Sequence, residues 1–295
     1  MPPARITVLI SGSGTNLQAL IDATKDGSLP NCEIIRVISN RKSAYGLTRA
    51  RNANIPTTYH NLLPYKRKEG VSESAARDAY DADLATIVLA DHPDLVVCAG
   101  WMHILTPSFL DPLSTTTPPL PVINLHPALP AAFNGANAIE RAHAAWVQGK
   151  VDKTGVMVHY VVQEVDMGEP IVVREIQFQE GDAGEGGVER LEERVHHVEW
   201  GVIVEGVRRA VGKLRGEGEG GEGMNSSSFV PCLDLLTLNN SLSDIQMSIW
   251  VQGSQLNNIP SASVCSPLDS WCKELDLMSP VFPLDPQGKS KGSGD

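Results

Sequence analysis

The first turn of the chain constrains its fold more than any other stretch. Arg5-Ile6-Thr7-Val8-Leu9-Ile10 is a β-branched run without polar alternation, the pattern of a strand buried on both faces. Ser11-Gly12-Ser13-Gly14-Thr15-Asn16 follows, and Leu17, Leu20 and Ile21 then recur at helical spacing. Strand, glycine turn and helix in that order open an α/β sheet. The turn leaves backbone N–H groups free at a helix N-terminus, where phosphate binds well. The dinucleotide fingerprint needs glycine where Leu17 stands and an acid at the end of the next strand. That strand, Ile34 to Ile38, runs instead into Ser39-Asn40-Arg41. A single phosphate monoester therefore fits better than a nicotinamide cofactor.

Further strands and helices alternate. Gly46 to Asn54 reads as a helix and Ile55 to Tyr59 as a short strand. Ser72 caps a long helix to Ala90, with Ala75, Ala76, Ala79, Leu84, Ile87 and Val88 as its apolar side. Pro93 to Ala99 is the next buried strand. Trp101-Met102-His103-Ile104-Leu105 follows at its carboxyl edge and suits either core or a pocket wall for a flat ring. Ala138 to Val147 reads as a helix. Thr154 to Val162 alternates, with Val156, Val158, Tyr160 and Val162 on one face and His159 on the other. It pairs with Ile171-Val172-Val173 as a hairpin carrying Asp166 at its tip. Gly187 to Leu214 closes the domain as a long helix.

The chemistry points to Pro121-Val122-Ile123-Asn124-Leu125-His126-Pro127. Val122 and Ile123 end a buried strand, and Asn124 and His126, two residues apart, face the same side. Pro127 stops the ladder at the strand's carboxyl end, where ligands gather in open α/β sheets. An amide and an imidazole facing one pocket suit a reaction that builds negative charge on a carbonyl oxygen.

Charge and cysteine content exclude other classes. The net charge of −11 argues against nucleic acid as a partner. The five cysteines form no C-x-x-C pair, so neither a disulfide framework nor a zinc site is expected. No secretory signal or membrane-spanning run is read, which predicts a cytoplasmic protein acting on small molecules. Gly/Glu low complexity from Gly216 marks a boundary. Residues 1–215 are expected to form the catalytic domain and 216–295 a disordered tail.

Four segments occur in a telling order: Ile10-Ser11-Gly12-Ser13-Gly14-Thr15-Asn16-Leu17-Gln18, Ala99-Gly100-Trp101-Met102-His103-Ile104-Leu105, Asn124-Leu125-His126-Pro127 and Asp166-Met167-Gly168-Glu169-Pro170. Together they resemble the phosphoribosylglycinamide formyltransferase family, folate-dependent enzymes of purine synthesis, over about residues 5–212. The resemblance implies a Rossmann-like, mostly parallel sheet flanked by helices, with a C-terminal hairpin and closing helix. It implies 10-formyltetrahydrofolate as co-substrate and no metal. Asn124, His126 and Asp166 would be catalytic. Gly14, Thr15, Asn16 and Glu199 would hold the ribonucleotide. Arg77, Met102, His103, Ile104 and Leu105, with Asn124 and Val162, Gln163, Glu164, Val165 and Asp166, would contact the folate.

One departure stands out: Ala131 replaces a glycine common in the family, and a positive φ there would strain the loop. In the mechanism this implies, Asn124 and a protonated His126 stabilise the oxyanion while Asp166 favours the imidazolium. Two rival readings are a 10-formyltetrahydrofolate hydrolase, with water as acceptor, and a non-catalytic phosphate-binding module that would not need the trio.

Overall fold

The strand Ala4–Ile10 (β1) and the helix Thr15–Asp26 (α1) lie where the opening pattern puts them. The computed structural model describes residues 1–217, so the disorder expected of the tail lies, from residue 218 on, outside the described residues. After α1 come Cys32–Ser39 (β2), Gly46–Asn52 (α2), Thr57–Tyr59 (β3), Leu63–Lys66 (α3), Glu73–Ala90 (α4) and Leu95–Cys98 (β4). Pro107–Ser114 (α5), Val122–His126 (β5), Ala138–Val147 (α6), Lys153–Tyr160 (β6), Pro170–Gln177 (β7) and Gly187–Leu214 (α7) complete the order. The strands form one sheet, β3-β2-β1-β4-β5-β6-β7. β1 to β5 pair in parallel, and β6 and β7 are added antiparallel.

Both sheet faces are covered, which explains the unbroken apolar strands. On one face Ile6, Val8 and Ile10 of β1 and Val156 and Val158 of β6 pack with Leu17, Leu20 and Ile21 of α1 and Leu191, Val195 and Val207 of α7. On the other face Leu9, Val96 and Val122 pack with Tyr80, Leu84 and Val88 of α4 and Phe109 and Leu113 of α5. The order reverses between β1 and β4, which is the switch point where α/β sheets open a crevice.

Two sequence expectations need correction. α4 starts as foreseen, with Ser72 Oγ accepting the Ala75 N–H at 3.2 Å. Ala75 and Ala79, however, are exposed, and the buried side runs through Ala76, Tyr80, Asp81, Leu84, Ala85 and Val88. Alanine is small enough to sit on either side, so the alanine run did not mark the face. The helix α5 was not foreseen. It is short, contains Pro112, and buries only Phe109 and Leu113, too few positions to establish a period.

Candidate active site

The glycine turn after β1 is shaped by a close approach. Gly14 has φ 72, and a Cβ on it would lie 2.6 Å from the Cα of Gly46 in α2. Arg49 of α2 donates through Nε to the Ser13 carbonyl at 2.9 Å, bracing the turn from outside. No side chain caps α1, so the N–H groups of its first turn stay available to an anion. The turn and the β4 loop are tied across the switch point: Ser11 N–H donates to Gly100 O at 2.9 Å, and Met102 N–H donates to Ser11 Oγ at 2.7 Å.

Asn16 points into the sheet-side interior and meets α7 there. Its Nδ2 donates to Glu199 Oε2 at 3.1 Å, while its Oδ1 is buried without a protein partner. Burial pushes the Glu199 carboxyl above its ordinary range, more than the Asn16 hydrogen bond pulls it down. The structure thus joins two of the predicted ribonucleotide residues, with Gly14 and Thr15 immediately before Asn16.

The predicted trio also converges. In β5 the alternation puts Val122, Asn124 and His126 on the α4/α5 side of the sheet. Asn124 is paired in register with His159 of β6, and such cross-strand pairs share a face. The loop after β6 folds back over that face. Asp166, at φ 57, places Oδ2 3.5 Å from His126 Nδ1 and 2.7 Å from the Gly135 N–H, which donates to it. Asn124 Nδ2 donates to Asp166 Oδ1 at 3.3 Å.

His159 is a further neighbour of this cluster, on the face that the strand alternation predicts. Its Nδ1–H donates to Tyr160 O at 2.8 Å. Its Nε2 then lies 3.3 Å from Asn124 Nδ2 and 3.4 Å from Asp166 Oδ1. Gly168 keeps this loop close: a Cβ there would run into the Tyr160 carbonyl. No motif marks a strand histidine, so alternation was the only signal for it.

Electrostatics set the resting charges. Burial tends to raise the Asp166 carboxyl, but the His159 hydrogen bond, the His126 charge and the Gly135 N–H together hold it below the usual carboxylate range. Burial pushes His126 below the ordinary histidine value. The pull of Asp166 in the other direction is smaller, and His159 and Arg141 add to the downward push. The buried setting thus disfavours the imidazolium, against the pull of Asp166 that the sequence pattern implies. Desolvation outweighs one carboxylate at 3.5 Å. With Nδ1–H turned to Asp166, the lone pair sits on Nε2, which is buried and has no protein partner.

The predicted folate residues are less uniform. Trp101 and Leu105 belong to the core, Ile104 is half-buried and Met102 is exposed. The His103 ring is turned to α4, with Nε2 3.0 Å from the fully buried Asp81, which also accepts the Thr106 N–H at 2.7 Å. Arg77 lies one helical turn before Asp81, its Nε buried without a partner. Val162, Gln163, Glu164 and Val165 form an exposed lip. Val162 and Gln163 line a groove of about 350 Å³ together with Leu110, Leu120, Val122 and Tyr160. The alanine at 131 does adopt the left-handed conformation, at φ 60, and Phe133 does so at φ 51.

Known proteins share this arrangement of sequence and fold. Residues 4–207 match the Formyl transferase family. The chain is 50% identical over 209 residues to the phosphoribosylglycinamide formyltransferase of Schizosaccharomyces pombe, covering 70% of this chain and 97% of that protein. It is 45% identical to the Saccharomyces cerevisiae protein of the same name, over 72% of this chain and 99% of that one. A crystal structure of glycinamide ribonucleotide transformylase 1 from Symbiobacterium toebii superimposes with a TM-score of 0.60 at 35% identity, covering 71% of this chain and 89% of that one. With its glycine turn, its Asn124–His126–Asp166 cluster and these relatives in agreement, the chain belongs to the formyl transferase family, among the phosphoribosylglycinamide formyltransferases.

Proposed function

We propose that this enzyme transfers the formyl group of 10-formyltetrahydrofolate to the amine of 5-phosphoribosylglycinamide in purine biosynthesis. The products are formylglycinamide ribonucleotide and tetrahydrofolate. The observation that carries this reading is the Asp166 carboxylate held against His126 on the sheet face that also bears Asn124.

The ribonucleotide phosphate sits at the uncapped start of α1, on Gly14, Thr15 and Asn16. Glu199 and the free Oδ1 of Asn16 take the ribose hydroxyls, a role that suits two buried acceptors. The folate lies along Met102, Ile104 and Leu105 with the lip from Val162 to Asp166 opposite, and Arg77 meets its acidic end. Support for the lip comes from its exposed side chains leading directly to Asp166, which meets Asn124 and His126.

In this reading His126 is neutral when the substrates bind, the state that burial favours. The amine attacks the formyl carbon, and the carbonyl oxygen gains negative charge, to which Asn124 Nδ2–H donates. The attacking nitrogen becomes cationic and passes a proton to His126 Nε2. Asp166 stabilises the imidazolium so formed. His126 then returns that proton to N10 as the carbon–N10 bond breaks. One carbon–nitrogen bond forms, one breaks, and one proton moves from amine to N10. Acid–base help of this kind contributes roughly 10²–10⁴ in rate, and alignment of two large substrates supplies much of the rest. The two free cysteines among the described residues, Cys32 and Cys98, fit a reducing cytoplasm.

The test is a spectrophotometric assay of tetrahydrofolate release with and without glycinamide ribonucleotide. Release that depends on the ribonucleotide is expected. Equal release without it would reassign the enzyme as a hydrolase.

A further inference from the structure

Arg141 is the fourth residue of α6, where the positive end of the helix dipole disfavours a cation. Its guanidinium reaches back over the loop that precedes the helix. Nη2 donates to the carbonyl oxygens of Phe133 and of Asn134, the latter at 2.7 Å. Nε donates to Asn137 O at 3.4 Å, and Cζ lies 6.0 Å from the centre of the Phe133 ring.

The clamped segment has two features that call for a clamp. Ala131 and Phe133 both hold left-handed backbone conformations, and neither residue type favours them. Such conformations persist only where the surroundings over-determine them. The segment also ends at Gly135, whose N–H donates to Asp166 Oδ2. That same oxygen faces His126 Nδ1. A continuous line of contacts therefore runs from the Arg141 fork, through two carbonyls and one N–H, to the reacting imidazole.

We propose that Arg141 is a positioning residue for formyl transfer. By holding the Phe133 and Asn134 carbonyls it fixes the Gly135 N–H, and the Gly135 N–H fixes the carboxylate of Asp166 against His126. Arg141 touches no reacting atom itself. The inference rests on the reading above that His126 and Asp166 carry the chemistry.

The test compares Arg141→Met and Arg141→Lys in the full chain by steady-state kinetics and by NMR amide exchange at Gly135. Methionine keeps the stem and removes every donor. It is expected to lower kcat about 10- to 100-fold, the loss that a misplacement of about 1 Å brings. Both KM values stay within about twofold, because Arg141 itself meets neither substrate and the displaced Asp166 carboxylate matters most in the transition state. Gly135 exchanges faster in Arg141→Met. Lysine, whose ammonium has three donors for the two carbonyls, restores much of kcat and of the Gly135 protection.

Unchanged Gly135 exchange in Arg141→Met overturns the clamp. Faster exchange with wild-type kcat overturns the positioning role. Equal loss in both variants, with KM and Tm falling together, makes the residue merely structural and also overturns it. Wild type assayed alongside keeps the two readings apart. Without ribonucleotide-dependent turnover in wild type, formyl transfer fails and the positioning role falls with it, while Gly135 exchange still decides the clamp.

Discussion

The carboxylate of Asp166 lies 3.5 Å from Nδ1 of His126, although a helix and a strand separate the two residues in the chain. Its neighbours hold the carboxyl below the usual carboxylate range and burial holds the ring below the ordinary histidine value, a bias toward receiving a proton rather than holding one.

Asp166→Asn tests that pair. Asparagine keeps the shape and can still accept the Gly135 N–H, but it lacks the charge that stabilises the imidazolium. kcat is expected to fall by roughly 10²–10⁴. Both KM values should stay near those of wild type, since the lost interaction is made mainly in the transition state. Steady-state kinetics at saturating substrates measure this, and near-normal turnover would refute the role given to Asp166.

The pH dependence has a defined sign. Burial holds His126 below the ordinary histidine value, so the ring keeps its lone pair into more acidic solution than a free histidine does. kcat/KM should therefore stay level through the ordinary histidine range and drop only below it. Stability follows the same direction. His126 and Asp166 both have depressed folded-state pKa values, so the unfolded chain binds more protons in the window between the two states. Their contribution is present above the unfolded values and is lost as the pH falls through the folded ones. An acid limb centred above the ordinary histidine range would contradict a neutral resting ring.

Glu199→Gln separates binding from folding. The buried carboxyl accepts from Asn16, a bond that a glutamine carbonyl can also accept. Loss of the charge should weaken ribonucleotide binding about tenfold or more, the worth of a charge-assisted hydrogen bond of roughly 1.5–3 kcal/mol. The folded state should not suffer. A carboxyl whose pKa is raised by burial costs stability as pH rises past its unfolded value, and glutamine removes that cost. Isothermal titration and a thermal melt at neutral pH check both halves. Unchanged affinity would remove Glu199 from the ribose site.

Ala131→Gly should stabilise the chain. Alanine at φ 60 bears a left-handed penalty of roughly 1–2 kcal/mol, partly offset by the extra freedom glycine has when unfolded. A net gain of about 1 kcal/mol, read as a higher denaturant midpoint at constant slope, is expected. A lower midpoint would mean that contacts of the methyl group outweigh the backbone strain.

Much of this site was legible because its residues are local. Strand, glycine turn and helix lie within one stretch, and Asn124 and His126 are two positions apart on one strand. α7 was bounded correctly at Gly187 and Leu214 by its sustained period. What was not legible depends on packing between distant elements. His159 comes into contact with Asn124 only when β6 pairs with β5. The resemblance implies a folate contact at His103, and its ring also meets Asp81, a buried acid that its helical position alone does not reveal. The balance of effects on His126 is likewise not legible, because the carboxylate partner is visible in a motif whereas the depth of burial is not.

Gly168 sets a limit on how this family member can be altered. The exposed side chains from Val162 to Val165 can be exchanged to reshape what the entrance admits. The path of that segment cannot be changed in the same way. Any side chain at 168 would displace the Tyr160 carbonyl that anchors His159, so redesign of specificity has freedom in composition there and almost none in trajectory.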